Sequence, residues 1–277
     1  MSNAIVAEKH PLDDLIRADR MPHIWCPGCG VGIIMRCYAQ AILDSGIPIE
    51  KHIVVSGIGC SGRVAGYMKL DSYHTTHGRA IPFATGVKLA NPALTVTVFS
   101  GDGDLASIGG NHLIHAARRN MDIKVVCINN FNFGMTGGQA GPTTPQGAYG
   151  TTAPYGNPEL PFNLPYLLKA CGANFVSRWT AIHVRQVRDD ILYVFSKPGF
   201  AFIEVLAPCP IGFGKSNGIE DGLEEMEMYR ERSVHIQDAN VGDEDLSIDL
   251  RGDYPIYVGR FIDRERAPFR PVKVEKP

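Results

Sequence analysis

The chain has 277 residues, enough to bury one large core or two modest ones. Its composition, 44% apolar and 20% charged, is that of a folded globular protein, and a formal net charge of −2 argues against nucleic acid or an anionic membrane as the main partner. No stretch approaches the roughly 18 apolar residues of a membrane span, and the first residues lack the basic and apolar regions of a signal peptide. We therefore expect a cytoplasmic protein without a membrane segment.

Apolar runs, helical periodicity and turn residues predict the secondary structure. The sequence first predicts a short helix over 12–17, a helix over 31–43 after a Cys- and Gly-rich loop, and a strand over 52–56. A helix over 79–90, a strand over 94–100, a helix over 105–119 and a strand over 123–128 follow. After a long Gly- and Pro-rich loop over 131–161, the sequence predicts a helix over 164–171, a strand over 174–178, a helix over 181–195 and a strand over 200–206.

These strands are apolar throughout and alternate with helices, which is the pattern of a parallel sheet covered on both faces. We predict a doubly wound α/β domain over residues 1–211. Residues 212–277 differ in character, being glycine-rich, then acidic, then rich in Pro and Arg. They are predicted to form a C-terminal extension that packs on the domain or on a partner.

The most informative motif is Gly101-Asp102-Gly103, followed after one predicted helical crossover by Asn129-Asn130. A crossover of this kind makes the two flanking strands parallel and close, so both motifs lie at the carboxyl edge of the sheet, where such sheets bind ligands. The Asp102 carboxylate and the Asn130 side-chain oxygen can then share one hard cation such as Mg²⁺. For an isolated GDG the alternative is a turn in which Asp102 caps the next helix, but the crossover length and the Asn pair favour the ligand site.

This combination resembles the fingerprint of the thiamine-diphosphate enzymes. The run NFNFGMTGGQ from Asn130 to Gln139 is similar to the metal- and diphosphate-binding loop of the 2-oxoacid:ferredoxin oxidoreductases. The resemblance implies that Asp102 and Asn130 bind Mg²⁺ through their side chains and Asn132 through its backbone carbonyl. It also implies that backbone groups of four residues line the diphosphate: Gly103, Asp104, Gly134 and Met135.

Seven cysteines are too few and odd in number for a secreted disulfide framework. Three of them, Cys37, Cys127 and Cys171, lie in periodic or apolar segments and are predicted to fill the core. The other four lie in Gly- or Pro-containing loops or at strand ends: Cys26, Cys29, Cys60 and Cys209. Four thiolates suit a [4Fe–4S] cluster or a zinc ion equally well by count.

The segment Trp25-Cys26-Pro27-Gly28-Cys29 is ambiguous alone, because it also resembles a thioredoxin-type redox motif. The oxidoreductase family, however, carries a WCxGCG pair, a cysteine in IGCSGR and a distant cysteine after the last strand, in the order seen here. The resemblance therefore implies that Cys26, Cys29, Cys60 and Cys209 bind a [4Fe–4S] cluster. It further implies that the loop containing Cys60 contacts the thiamine cofactor through Ile58, Gly59, Cys60 and Ser61.

His77, in the sequence HGRAIPFATG, is the candidate catalytic residue. By the resemblance it lies near the reactive end of the cofactor, where an imidazole can move a proton or hydrogen-bond the substrate near neutral pH. The alternative is a structural hydrogen bond within the loop.

The resemblance implies a beta subunit that catalyses the CoA-dependent oxidative decarboxylation of a 2-oxoacid to acyl-CoA and CO₂, or the reverse. Electrons would pass through the cluster to ferredoxin. The TGGQ and PTTP segments look most like those of the 2-oxoglutarate enzymes. We find no candidate for the glutamate that activates the aminopyrimidine, which in the family comes from a companion alpha subunit, so an α₂β₂ assembly is implied.

Two rival functions are retained. One is a non-redox thiamine-diphosphate decarboxylase or ligase subunit whose cysteines bind zinc or nothing. The other is a thiol–disulfide protein that acts through Cys26 and Cys29, which leaves the spacing between Asp102 and Asn130 unexplained.

Overall fold

The computed structural model describes residues 10–271. Its main feature is an eight-stranded sheet with the strand order β2-β1-β3-β4-β8-β7-β10-β9. These strands are β1 (His52–Ser56), β2 (Asp71–His74), β3 (Thr95–Gly101), β4 (Lys124–Asn129), β7 (Phe175–Thr180), β8 (Ala201–Leu206), β9 (Ser233–His235) and β10 (Ile256–Asp263). A separate two-stranded hairpin pairs β5 (Asn132–Phe133) with β6 (Gln139–Ala140) in antiparallel register.

The six strands from β2 to β7 in this order are parallel, as their apolar runs predict. Val98 of β3 pairs with Val125 of β4, so the strands before the two polar motifs are direct neighbours. The carboxyl ends of β1, β3 and β4 therefore open at one edge of the sheet, where the candidate site lies.

Helices cover both faces of the sheet: α1 (Val31–Asp44), α2 (Val64–Tyr67), α3 (Ala80–Ala90), α4 (Gly110–Arg119), α5 (Leu164–Cys171), α6 (Val184–Ser196) and α7 (Gly222–Arg232). Two buried clusters result, one on each face. On one face α1 packs with α6 over residues such as Phe99 and Val126, and on the other α3, α4 and α5 pack over residues such as Val98 and Val125. The doubly wound fold predicted from the sequence is confirmed.

Three local predictions differ from the structure. The predicted helix over 12–17 is a 3₁₀ turn, Pro11–Asp14, capped by the His10 side chain. The edge strand β2 was missed because its residues are polar and largely exposed; it pairs with β1 through its backbone, and its Tyr73 ring packs on Phe83 of α3. The predicted helix over 105–119 begins earlier, with a π-helical turn, Gly103–Ile108, that leads into α4.

The segment after residue 212 contributes α7, β9 and β10, and β10 pairs antiparallel to β7 in the main sheet. The division of the chain at residue 212 stays a prediction. The segment 1–9, on which the expectation of no signal peptide rests, lies outside the described residues. Within 10–271, none of the helices is both long enough and apolar enough to cross a membrane.

Candidate active site

A cleft opens at the carboxyl edge of the sheet, between the loops that follow β1, β3 and β4; it encloses about 560 Å³ when the solvent at its open mouth is included. Every residue for which the sequence predicted a role toward the cofactor or the magnesium ion lines this cleft: Ile58, Gly59, Cys60, Ser61, His77, Asp102, Gly103, Asp104, Asn130, Asn132, Gly134 and Met135.

Asp102, Asn130 and Asn132, here called the oxygen site, are all buried. One amide position of Asn130 lies 3.2 Å from Asp102 Oδ1 and 2.9 Å from the Asn132 carbonyl oxygen. If that position is the amide nitrogen, it donates to both oxygens; if it is Oδ1, three oxygens converge. An octahedral Mg²⁺ with ligands near 2.1 Å places adjacent oxygens about 3 Å apart. The residues therefore fit a magnesium ion.

Burial raises the pKa of Asp102 to about 7, because water no longer solvates the charged form. The Thr143 hydroxyl donates a hydrogen bond to Asp102 Oδ2 and so leaves Oδ1 for the shared position. Thr143 belongs to the long Gly- and Pro-rich loop, and no sequence signal marked it as a partner of Asp102. The loop thus reaches back to the strand end and holds the Asp102 carboxyl of the oxygen site.

The chain turns sharply at Phe131, whose φ of +62° places a bulky residue in the left-handed region, which costs roughly 1–2 kcal/mol for a residue with a Cβ. Asn129 Oδ1 accepts a hydrogen bond of 3.1 Å from the Phe131 N–H, and the Phe131 ring packs on Phe213. These contacts hold the turn between Asn130 and Asn132. At Gly103 a Cβ would lie only 2.3 Å from the Phe133 ring, so glycine is required there.

His77 lies at the cleft with its side chain 46% exposed, and its Nδ1 is 2.7 Å from Asp104 Oδ1. The same oxygen accepts a hydrogen bond from Gly78 N–H, while Asp104 Oδ2 accepts one from the Ser100 hydroxyl at 2.8 Å. A carboxylate only accepts hydrogen bonds, so in the neutral imidazole it selects the tautomer with the proton on Nδ1 and leaves Nε2 as the acceptor. The sequence predicted only a backbone role for Asp104; the structure adds that its buried side chain orients His77.

Cys26, Cys29, Cys60 and Cys209, here called the thiol site, are brought together by contacts between their loops. The Trp25 Nε1–H donates to the Cys60 carbonyl at 2.8 Å, and Gly30 N–H donates to the Pro208 carbonyl at 3.3 Å. A Cβ at Gly30 would lie 2.9 Å from both Ala207 Cβ and Pro208 Cδ, so only glycine permits this approach. Residues about 180 positions apart in the chain are thereby placed side by side.

The thiols also influence each other electrostatically. Burial raises the pKa of Cys29 to about 12 and of Cys60 to about 11, and neighbouring cysteines of the thiol site add to both shifts. Thiols that are desolvated and close together keep their protons until a cation replaces them. Among residues 10–271, no three His, Cys, Asp or Glu side chains lie close enough to hold a single metal ion.

The oxygen site and the thiol site share a wall. Cys209 Sγ lies 3.9 Å from Asn132 Oδ1, and a Cβ at Gly134 would lie 3.2 Å from both atoms. Cys60 lines the cleft and belongs to the thiol site. By contrast, Cys37 and Cys127 are buried in the two core clusters, as predicted.

The chain is similar in sequence to a known protein family and to proteins of known function. Residues 57–205 match the family described as "Thiamine pyrophosphate enzyme, C-terminal TPP binding domain". The chain is 48% identical over 259 residues to 2-oxoglutarate synthase subunit KorB of Methanothermobacter marburgensis, which covers 94% of this chain and 89% of that protein. It is 45% identical over 188 residues to 2-oxoacid:ferredoxin oxidoreductase 2, subunit beta, of Aeropyrum pernix, which covers 67% of this chain and 60% of that protein.

One solved structure is similar over nearly the whole chain. It is the 2-oxoglutarate:ferredoxin oxidoreductase from Magnetococcus marinus with 2-oxoglutarate, coenzyme A and succinyl-CoA bound; the TM-score is 0.81 at 31% identity, with 95% of this chain and 88% of that chain covered. Similarity of this extent supports the oxidoreductase over a non-redox thiamine enzyme and over a thiol–disulfide protein. The thiamine-pyrophosphate family match across the cleft, together with relatives along most of the sequence, shows that this chain belongs to the beta subunits of the 2-oxoacid:ferredoxin oxidoreductases.

Proposed function

We propose that this chain, together with an alpha subunit, catalyses the CoA-dependent oxidative decarboxylation of 2-oxoglutarate, or its reverse, and passes the electrons through a [4Fe–4S] cluster to ferredoxin. The observation that carries the proposal is the shared wall of the two sites. Because Cys209 Sγ is 3.9 Å from Asn132 Oδ1, a cluster on the thiol site adjoins the loop that binds the diphosphate.

The oxygen site holds Mg²⁺ in this proposal, with Asp102 and Asn130 binding through side-chain oxygens and Asn132 through its carbonyl. The bound diphosphate would supply further oxygen ligands to the ion. Gly103, Asp104, Gly134 and Met135 line the same cleft and are proposed to offer backbone groups to the diphosphate.

Thiamine diphosphate supplies the carbanion chemistry of decarboxylation when bound, and the cluster accepts electrons. The residues of this chain bind, orient and exchange protons. His77 is proposed as the catalytic residue that accepts or donates a proton at Nε2, because Asp104 holds its Nδ1. Ile58, Gly59, Cys60 and Ser61 form the wall of the cleft between the cofactor and the thiol site.

The partner follows from what the cleft does not contain. Among the described residues that line it, no side chain is a glutamate, so the carboxylate that activates the aminopyrimidine is proposed to come from an alpha subunit in an α₂β₂ assembly. Coenzyme A and 2-oxoglutarate are, with succinyl-CoA, the ligands named for the Magnetococcus marinus structure. We propose both as substrates here.

The test is metal analysis of the complex purified without oxygen after co-expression with the partner subunit. We expect brown protein, about four irons and four sulfides per beta chain, and CoA-dependent reduction of ferredoxin with 2-oxoglutarate that exceeds the rate with pyruvate. Zinc or free thiols in place of iron would contradict the electron-transfer role. Full activity with pyruvate alone would contradict the substrate.

A further inference from the structure

A chain of buried polar side chains crosses three neighbouring strands beneath the oxygen site. Arg178 in β7 donates from Nε to Glu204 Oε2 in β8 at 2.7 Å, and Asn129 at the end of β4 donates from Nδ2 to Glu204 Oε1, also at 2.7 Å. All three side chains are no more than 1% exposed. Arg178 and Glu204 are direct partners in the strand register, so the ion pair spans the sheet at one level.

Stability alone does not account for this pair. Removing two charges from water costs about as much as their attraction returns, and well-packed apolar residues usually serve a core equally well. Here both carboxylate oxygens are occupied, one by the guanidinium and the other by the Asn129 amide. What the carboxylate adds over an apolar residue is a fixed acceptor for Asn129.

Asn129 connects this ion pair to the cofactor loop. With its amide nitrogen held by Glu204, its oxygen faces the other way and accepts from the Phe131 N–H at 3.1 Å. That bond holds Phe131 at its φ of +62°. Asn130 lies in the chain between Asn129 and Phe131, so the Asn129 side chain also sets the direction of Asn130.

Arg178, at the other end of this row of hydrogen-bonded side chains, is anchored by residues outside the parallel sheet. Arg178 Nη1 donates to the Leu246 carbonyl at 2.7 Å, and the guanidinium lies 5.8 Å from the centre of the Phe261 ring in β10. The C-terminal segment thus closes over Arg178 and fixes the direction in which it presents Nε to Glu204.

We propose that Glu204, held by Arg178, positions the magnesium- and diphosphate-binding turn through Asn129, so that Asn130 and Asn132 face Asp102 before the cofactor binds. Glu204 and Arg178 are positioning residues; neither is among the residues that line the cleft. The inference rests on the proposed magnesium and diphosphate site.

Two double variants separate positioning from stability. R178M/E204L removes both charges and the acceptor for Asn129, whereas R178M/E204Q removes both charges and keeps an acceptor. Neither leaves an unpaired buried charge. In the co-expressed complex we expect R178M/E204L to weaken Mg²⁺-dependent binding of thiamine diphosphate by about tenfold or more, and R178M/E204Q to stay within about threefold of the parent. Iron per chain should be unchanged in both.

Hydrogen–deuterium exchange of the segment 129–135, measured without cofactor, is the second readout. We expect about tenfold faster exchange in R178M/E204L and parent-like exchange in R178M/E204Q. If R178M/E204L does not fold, N129A also removes the hydrogen bonds from Asn129 to Glu204 and from the Phe131 N–H to Asn129, and it keeps the ion pair. Equal affinity and equal exchange in the leucine and glutamine variants would overturn the proposal. A parent complex that binds no thiamine diphosphate would instead refute the proposed function, while the exchange data still judge the positioning role.

Discussion

At the oxygen site Asp102, Asn130 and Asn132 are all buried, whereas at the thiol site Cys26 is exposed and the other three cysteines are only partly buried. The oxygen site is held by side-chain hydrogen bonds: the Thr143 hydroxyl donates to Asp102, and the Phe131 N–H donates to Asn129 Oδ1. The thiols are held by the packing of loops, through glycines that let backbones approach and through the Trp25 bond to Cys60.

If both proposed metal sites are occupied, the difference describes two ways of preparing them. Hydrogen bonds orient neutral and acidic oxygens without their ligand, and a small cation with strict octahedral geometry needs that precision. At the thiol site, burial raises the pKa of the Cys29 and Cys60 thiols, so a metal must displace their protons in order to bind. We expect damage to one site to leave the other largely intact.

Cys29→Ser is expected to have the largest effect, because it removes a thiol ligand that does not line the cleft. The iron content should fall below about half of the parent value, and the rate at which ferredoxin is reduced should fall by about 100-fold or more. The affinity for thiamine diphosphate should change by less than about threefold. Iron analysis, reduction rates and a binding titration measure this. Cys171→Ser, which changes a cysteine outside both sites, is the matched control. Loss of cofactor binding together with iron would show that the two sites are not independent.

Asp102→Ala is expected to act on the oxygen site alone. It removes a buried ligand and the acceptor of Thr143, so Mg²⁺-dependent affinity for thiamine diphosphate should fall by about 100-fold or more, with iron per chain unchanged. Asp19→Ala, at an exposed position, serves as control. The two-site comparison fails if the cluster is lost in Asp102→Ala.

His77→Ala is expected to lower kcat/KM for the 2-oxoacid by about 100-fold without changing iron or cofactor affinity by more than about threefold. Asp104 acts through His77 in this description, so adding Asp104→Asn to His77→Ala should cost no more than about threefold further. A double-mutant cycle of steady-state rates measures the coupling. Full additivity would mean that Asp104 works independently of His77.

The smallest expected effect lies outside both sites. Burial lowers the pKa of His52 from 6.5 to about 4. Below pH 6.5 His52 therefore binds a proton in the unfolded chain but stays neutral in the folded protein. Folding stability is therefore lost as pH falls from 6.5 toward 4, at a rate of the order of 1 kcal/mol per pH unit. His52→Leu should reduce the drop in Tm between pH 7 and pH 5. An unchanged drop would place the acid-sensitive group elsewhere.

Much of the oxygen site could be predicted because its signals are local. Gly101-Asp102-Gly103 and Asn129-Asn130 each follow an apolar strand, and the crossover between them makes those strands neighbours. The partners that complete the site were not predicted. Thr143 lies in an irregular loop, and the contact of the Asp104 side chain with His77 depends on how a separate loop folds back over β3.

Local patterns were enough to predict the parallel α/β sheet, the pair of motifs at its carboxyl edge and the four cysteines that differ from the core cysteines, because periodicity and loop composition depend on consecutive residues. Which distant residues become neighbours depends on the three-dimensional fold. It placed β8 and β7 next to β4, so that Glu204 and Arg178 lie beneath Asn129, and it brought β10 against β7 to cover Arg178. Strand order brings together residues that are far apart in the chain, and it cannot be predicted from local sequence patterns.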